Sequence, residues 1–257
     1  MSEPVAPSRV RGAAIITGAG QGLGRAFAQA FAGIGSPVGV ADINLGSAER
    51  VAEEINEAGG RAVAVRVDVT DEGSVESMTA EMERALGPIG VLVNNAALFS
   101  ALEMRPFAEV QVAEWRRVLD VNVVGAFLCA RAAIPRMAQR QYGKVINISS
   151  ATVWTGRPGY LHYVTSKAAL IGFTRALAAE VGPSGIRVNA ITPGSTQTEI
   201  ERATITPEAR RAMAEATALR RVQVPGDLIG ALLFLASGES DFITGQTINV
   251  DGGFAFH

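Results

Sequence analysis

"TGAGQGLGRAFAQAF", residues 17–31, sets Gly18, Gly22 and Gly24 between the apolar run "AAIIT" at 13–17 and an alanine-rich segment with helical spacing. Glycines at these points let the chain turn tightly out of a strand, and they leave bare backbone amides where the next helix begins. Such amides, with the positive end of the helix dipole behind them, attract an anion such as a pyrophosphate. A glycine-rich turn alone also ends many ordinary strands, so its value depends on what surrounds it.

Working outward, the strand-turn-helix pattern repeats. Short β-branched runs recur at "PVGVA" 37–41, "AVAVRV" 62–67, "GVLVN" 90–94, "KVINIS" 144–149, "IRVNAI" 186–191 and "TINV" 247–250, separated by longer, alanine-rich helical segments. Alternation of this kind predicts βαβ units and a parallel sheet. Near-continuous apolar strands, without polar alternation, fit a sheet covered on both faces. The expected fold is therefore α/β: one Rossmann-like, doubly wound domain whose seven-stranded parallel sheet carries helices on both faces. With no charged or Pro/Ser-rich linker in the series, the domain is expected to span 1–257, with only residues 1–10 and the last few loose.

The bulk numbers narrow the partners. A chain of 257 residues, 48% apolar and 19% charged, with a net charge of −2, can bury a sizeable core and has no basic block to attract nucleic acid or an anionic membrane. A small molecule is the expected partner. The opening "MSEPVAPSRVRG" has no apolar core of a signal peptide, and runs such as "ALLFLASG" are far short of the ~20 residues a membrane span needs, so a cytoplasmic location is expected. Cys129, in "VVGAFLCAR", is the single cysteine; its apolar neighbours suggest a core residue. No metal site is expected.

The second strand ends in "GVADIN", and Asp42 there lies 18 residues beyond Gly24. At that distance an acidic side chain can accept hydrogen bonds from an adenosine ribose diol, and it would repel a 2′-phosphate, which points to NAD. The competing role for Asp42 is to cap the helix starting near Leu45.

The order Thr-Gly, three residues, Gly-x-Gly resembles the short-chain dehydrogenase/reductase family. So do "DV" at 68–69, "NNAA" at 94–97, "VNVVG" at 121–125, "YVTSK" at 163–167, "TPGSTQT" at 192–198 and "INVDGG" at 248–253, over nearly the whole chain. The resemblance implies that Gly18, Gln21, Gly22, Leu23 and Gly24 form the dinucleotide turn and that Asp68 and Val69 flank the adenine. It also implies that the Asn95–Ala96 backbone lines the ribose and that Pro193, Gly194 and Thr196 sit by the nicotinamide amide. Ala97 stands where the family usually has glycine. A homotetramer is implied as well, as in many relatives.

The catalytic candidates lie in "GYLHYVTSKAAL", 159–170. Residues four apart share a helix face, so Tyr163 and Lys167 project together, whereas His162 does not join them and is expected to be a wall or surface residue. A phenol with an ordinary pKa of about 10 needs roughly 4 kcal/mol of preferential phenolate stabilisation to act as a base near pH 7. One ammonium about 4 Å away is worth that much at an effective dielectric near 20. Ser149 and Ser150 end the preceding strand, and the family spacing of thirteen residues before the tyrosine selects Ser150. By the same resemblance Asn122 holds a water linking the lysine to solvent; a buried asparagine that bends its helix is the alternative.

These roles imply an oxidoreductase moving a hydride between NAD(H) and a secondary alcohol or ketone, with residues 195–222 as a substrate lid. The alternatives are an oxoacyl thioester reductase of the same family and a non-catalytic nucleotide sensor on the same fold. "SSATVWTGRPGYLHYVTSKAALIGFTRAL", "QVPGDL" and "FITGQTINVDGG" are similar to aryl secondary-alcohol dehydrogenases of the phenylethanol type. Trp154, Tyr160 and Leu161 are accordingly expected to wall an apolar substrate pocket, with packing of Trp154 on a neighbouring subunit as the alternative.

Overall fold

The computed structural model describes residues 10–200 and 206–256. Within them seven strands form one parallel sheet: β1 Ala13–Thr17, β2 Val38–Asp42, β3 Ala62–Arg66, β4 Ile89–Asn94, β5 Gly143–Ile148, β6 Ile186–Pro193 and β7 Thr247–Val250. Their spatial order is β3-β2-β1-β4-β5-β6-β7, and every neighbouring pair is parallel. All seven expected runs are strands. The loose N-terminus expected for 1–10 falls almost wholly outside the described residues.

The connections are α1 Gly22–Gly33, α2 Leu45–Glu57, α3 Glu72–Leu86, α4 Val112–Leu119, α5 Gly125–Ala138, the short α6 Thr152–Thr155, α7 Leu161–Val181, α8 Pro207–Glu215 and α9 Gly226–Ala236. Two apolar layers result. One side of the sheet packs Ile15, Leu92 and Val145 against Met78, Met82 and Cys129, and the other packs Ile16, Val93 and Ile146 against Phe27, Phe31 and Leu232. Cys129 is 1% exposed, and burial pushes its thiol up to about 12, so it is a core residue as expected.

Helices α4 and α5 are one continuous helix interrupted by a π-turn at Asp120–Val124. Among the described residues, Val112–Ala138 is the one helix long and apolar enough to span a membrane, and half of its apolar window is buried in the fold. It lies against the sheet as a core helix does.

Strand order reverses between β1 and β4, whose C-terminal ends therefore diverge. In a doubly wound sheet that divergence opens a crevice for a ligand. Both "TGAGQGLG" and "NNAA" emerge there.

Candidate active site

At the reversal the backbone is packed too tightly for side chains. Gly18 has φ +64°, and a Cβ there would lie 2.8 Å from Ala96 Cα; one on Gly24 would lie 2.1 Å from the Gly18 carbonyl oxygen. Asn95 locks the turn from the β4 side, its Nδ2 donating to the carbonyls of Thr17 (2.9 Å) and Gly18 (3.0 Å). The Asn95 and Ala96 amides both donate to Thr17 Oγ1 at 3.1 Å.

Asp42 ends β2 beside this turn. One of its carboxylate oxygens accepts from the Gly20 amide and the other from the Asn44 amide, both at 2.9 Å. The cap of α2 is Asn44, which accepts from the Ser47 amide, so the capping alternative for Asp42 does not hold. Asp68 follows β3, and two hydrogen bonds from Thr70, first from its hydroxyl and then from its amide, hold the carboxyl below the usual range. Val69 packs against the start of α5, where a Cβ on Gly125 would come within 2.7 Å of it.

The first amide of α1, that of Gly22, donates to Glu199 Oε1 at 2.9 Å, and Arg25 lies 3.7 Å from the same oxygen. Burial acts to raise the Glu199 carboxyl. The Gly22 amide, the residue's own amide and Arg25 together outweigh that and lower it. An anion thus sits on the helix end that the sequence assigns to a pyrophosphate, and it comes from the chain itself. Nothing in the local sequence around Glu199 announces this contact.

Three elements bring the catalytic candidates together. β5 ends in Ser149 and Ser150, which diverge: Ser149 Oγ donates to the Lys167 carbonyl at 2.7 Å, as a backbone-facing residue would. Ser150 Oγ accepts from Thr152 twice, from the hydroxyl at 2.9 Å and the amide at 3.2 Å, which leaves its own proton to give elsewhere. On α7, Lys167 Nζ lies 5.8 Å from the centroid of the Tyr163 ring and donates to the Ile148 carbonyl at 2.8 Å. Full burial brings its amine down to about 7. Phe99, on the loop after β4, stacks on Tyr163 with centroids 4.2 Å apart.

Asn122 sits within the π-turn, fully buried. Its Oδ1 accepts from the Leu98 amide at 2.7 Å, and its Nδ2 donates to Ser166 Oγ at 2.9 Å. Ser166 in turn donates to the Tyr163 carbonyl at 2.7 Å. The amide therefore ties the loop after β4 to the first turn of α7, and a π-turn interrupts the long helix where the asparagine sits. His162, expected as a wall or surface residue, is neither: the helix turns it away from the cleft into the core, where it is completely buried with its Nε2 3.6 Å from Glu114 of α4.

A cavity of about 490 Å³ unites Leu23, Asn95, Ser150, Tyr163, Lys167, Pro193, Gly194 and Thr196. Gly18, Gln21, Gly22, Gly24, Asp42, Asp68, Val69 and Ala96 lie off its wall, as does Asn122, which is linked through Ser166 to the backbone of Tyr163. Ala97 lines the cavity at the position where the family's usual residue is glycine. Thr196 is pinned by the Gly194 carbonyl (3.3 Å) and Gln223 (3.0 Å). The expected aromatic wall needs correction. Trp154 is absent from the lining; its indole N–H is directed at Thr192 Oγ1 of β6, 3.3 Å away, because α6 turns the ring toward the sheet. Tyr160 packs behind Phe99 at 5.5 Å, and Leu161 is exposed. Phe99 and Phe254 form the wall, together with Thr198 and Arg157, none of which the sequence singled out.

A family described as enoyl-(acyl carrier protein) reductase matches residues 18–255. The 7alpha-hydroxysteroid dehydrogenase of Escherichia coli is 36% identical over 93% of this chain and 92% of its own length. The solved 3-oxoacyl-[acyl-carrier protein] reductase of Brucella melitensis superposes with a TM-score of 0.91 at 37% identity, covering 100% of this chain and 98% of that one. A short-chain type dehydrogenase/reductase from Mycobacterium marinum superposes at 0.86 with 34% identity, covering 96% of each chain. The chain belongs to the short-chain dehydrogenase/reductase family. The cavity lies where the strand order of that fold reverses, and as a member of the family the protein is an oxidoreductase with a small-molecule substrate.

Proposed function

We propose that this short-chain dehydrogenase/reductase uses NAD to interconvert a secondary alcohol and a ketone whose body is largely apolar. The observation that carries the reading is the meeting of Ser150, Tyr163 and Lys167 on one cavity that reaches Leu23, at the start of α1, and Asn95. The chain suits a dinucleotide: the turn between Gly18 and Gly24 presents backbone with no room for a Cβ, and the Gly22 amide already receives an anionic oxygen. Gly18, Gln21, Gly22, Leu23 and Gly24 would hold the pyrophosphate, Asp42 the adenosine ribose, and Asp68 and Val69 the adenine. Asn95 and Ala96 would line the second ribose, with Pro193, Gly194 and Thr196 beside the carboxamide.

NAD, when bound, supplies the hydride acceptor and NADH the donor. The protein's own share is orientation and proton transfer. Ser150, its lone pairs occupied by Thr152, gives its proton to the substrate oxygen. Tyr163 removes the alcohol proton, or returns it in reduction. Lys167 stabilises the phenolate from beside the ring. Burial has brought its amine down to about 7, so it can take up and release a proton near neutral pH. Asn122 fixes the α7 turn that carries both groups; its side chain is fully engaged, so a relay water would rest on its main chain. Residues 195–222 act as the substrate lid, of which 201–205 lie outside the described residues.

Steady-state turnover of a ketone panel with NADH and with NADPH tests the proposal. NADH should give the higher kcat/KM, and Asp42→Ala should narrow the difference. A preference for NADPH, or activity confined to acyl thioesters, would overturn the cofactor or the substrate assignment respectively.

A further inference from the structure

Among the described residues, the charged groups on the cavity wall other than Arg157 are each hydrogen-bonded within the fold. Arg221 is held in a two-pronged pair by Asp227, both contacts at 2.6 Å. Asp251 is engaged by the amides of Gly253, Phe254 and Ala255. Lys167 is engaged by the Ile148 carbonyl. Arg157 lines the same cavity from the loop between α6 and α7, and no carboxylate or carbonyl among the described residues receives its guanidinium. It lies instead over the Tyr160 ring, 5.1 Å from the centroid. A partly desolvated cation without an anion is costly to keep, and it is the group that an incoming anion would satisfy.

The aromatic contacts fix where that anion would sit. From Arg157 they run to Tyr160, from Tyr160 to Phe99 at 5.5 Å, and from Phe99 to Tyr163 at 4.2 Å. Two rings separate the guanidinium from the catalytic phenol. Resting on the proposed reaction, we infer that the substrate is a ketone or alcohol with an apolar body and a carboxylate remote from the reacting carbon, and that Arg157 selects it. A single planar guanidinium suits a monoanionic carboxylate better than a phosphate, which would call for more positive charge. An α-oxo acid does not fit, since its carboxylate adjoins the carbonyl.

The test compares 4-acetylbenzoate with its methyl ester, using NADH, in the intact protein and in Arg157→Gln and Arg157→Lys. The wild type should prefer the acid, by at least about tenfold in kcat/KM and mostly through KM, as expected of a charge-assisted contact. Arg157→Gln should bring the ratio to near one, and Arg157→Lys should restore part of it. Pyruvate and acetoacetyl-CoA should be poorer substrates than 4-acetylbenzoate. An acid-to-ester ratio near one in the wild type, a ratio that survives in Arg157→Gln, or a higher kcat/KM for acetoacetyl-CoA overturns the inference. Turnover of the ester without an advantage for the acid would sink this inference alone, leaving the proposed reaction intact. If no ketone is reduced, the proposed reaction falls instead. Thermal-shift titration with 4-acetylbenzoate in the presence of NADH then still decides the role of Arg157: wild-type protein should be stabilised at lower ligand concentration than Arg157→Gln, and equal titrations overturn it.

Discussion

Lys167 shows how burial converts an ordinary surface cation into a group that works near neutral pH. Its amine falls from 10.5 to about 7 because the helix carries it wholly inside the fold. Between those two values the unfolded chain holds a proton that the folded chain has lost, so stability rises with pH across the window. Below about 7 both states are protonated and the burial penalty is fully present. Cofactor-free protein should thus gain Tm, relative to Lys167→Met, as pH is raised from neutral toward 10; a difference that stays flat would show that the amine is not so perturbed. Tyr163 and His162 are neighbours in sequence with opposite surroundings, and they should respond differently. Tyr163→Phe keeps the ring against Phe99 and removes the proton carrier, so turnover should fall by about 10²–10⁴-fold while NADH binding and Tm hold. His162→Ala empties a core position, and should lower stability by about 1–3 kcal/mol while kcat per folded molecule changes little. Loss of kcat in the alanine variant with retention in the phenylalanine variant would reverse the two assignments.

At the scale of the element, the segment after β6 has two occupants for one helix end. Glu199 on the Gly22 amide must leave before a pyrophosphate can take that place, and its charge opposes the exchange. A charge at a helix N-terminus is worth about 0.3–1 kcal/mol, so Glu199→Gln should lower the Kd for NADH by roughly two- to fivefold, measured by fluorescence titration. An unchanged or weaker Kd would mean that the contact does not compete. This contact also marks where sequence reading ended. Strands were legible because β-branched runs bounded by helical spacing have few other uses; helix periodicity paired Tyr163 with Lys167, and the choice of Ser150 over Ser149 came from the family resemblance. Glu199, Phe99 and Arg157 were not legible, because loop geometry aims them and no period governs a loop. Trp154, expected on the pocket wall, was misplaced because the short α6 turns its indole toward β6. The π-turn at Asn122 has no sequence period of its own, and only the structure shows that its amide spans from the β4 loop to α7.

For the whole molecule, the apolar composition that builds two core layers also leaves apolar side chains at the surface. Val124 and Phe127, three residues apart on the long helix, are 41% and 45% exposed, and Val112 at its start is 64% exposed. The short apolar strip of Val124 and Phe127, on a protein with so small a net charge, is a surface that favours association. The homotetramer implied by family resemblance would cover it. Covering the strip also bears on catalysis, since the same helix carries Asn122 and, through it, the first turn of α7. Light scattering coupled to size exclusion should give four times the chain mass at micromolar concentration. The double change Val124→Asp and Phe127→Asp should shift it to smaller species, because paired carboxylates on a buried apolar interface would be desolvated without partners. With the helix loosened, kcat should fall in those smaller species even though Ser150, Tyr163 and Lys167 are untouched. A wild-type monomer, or a tetramer indifferent to the two aspartates, would place the association surface elsewhere.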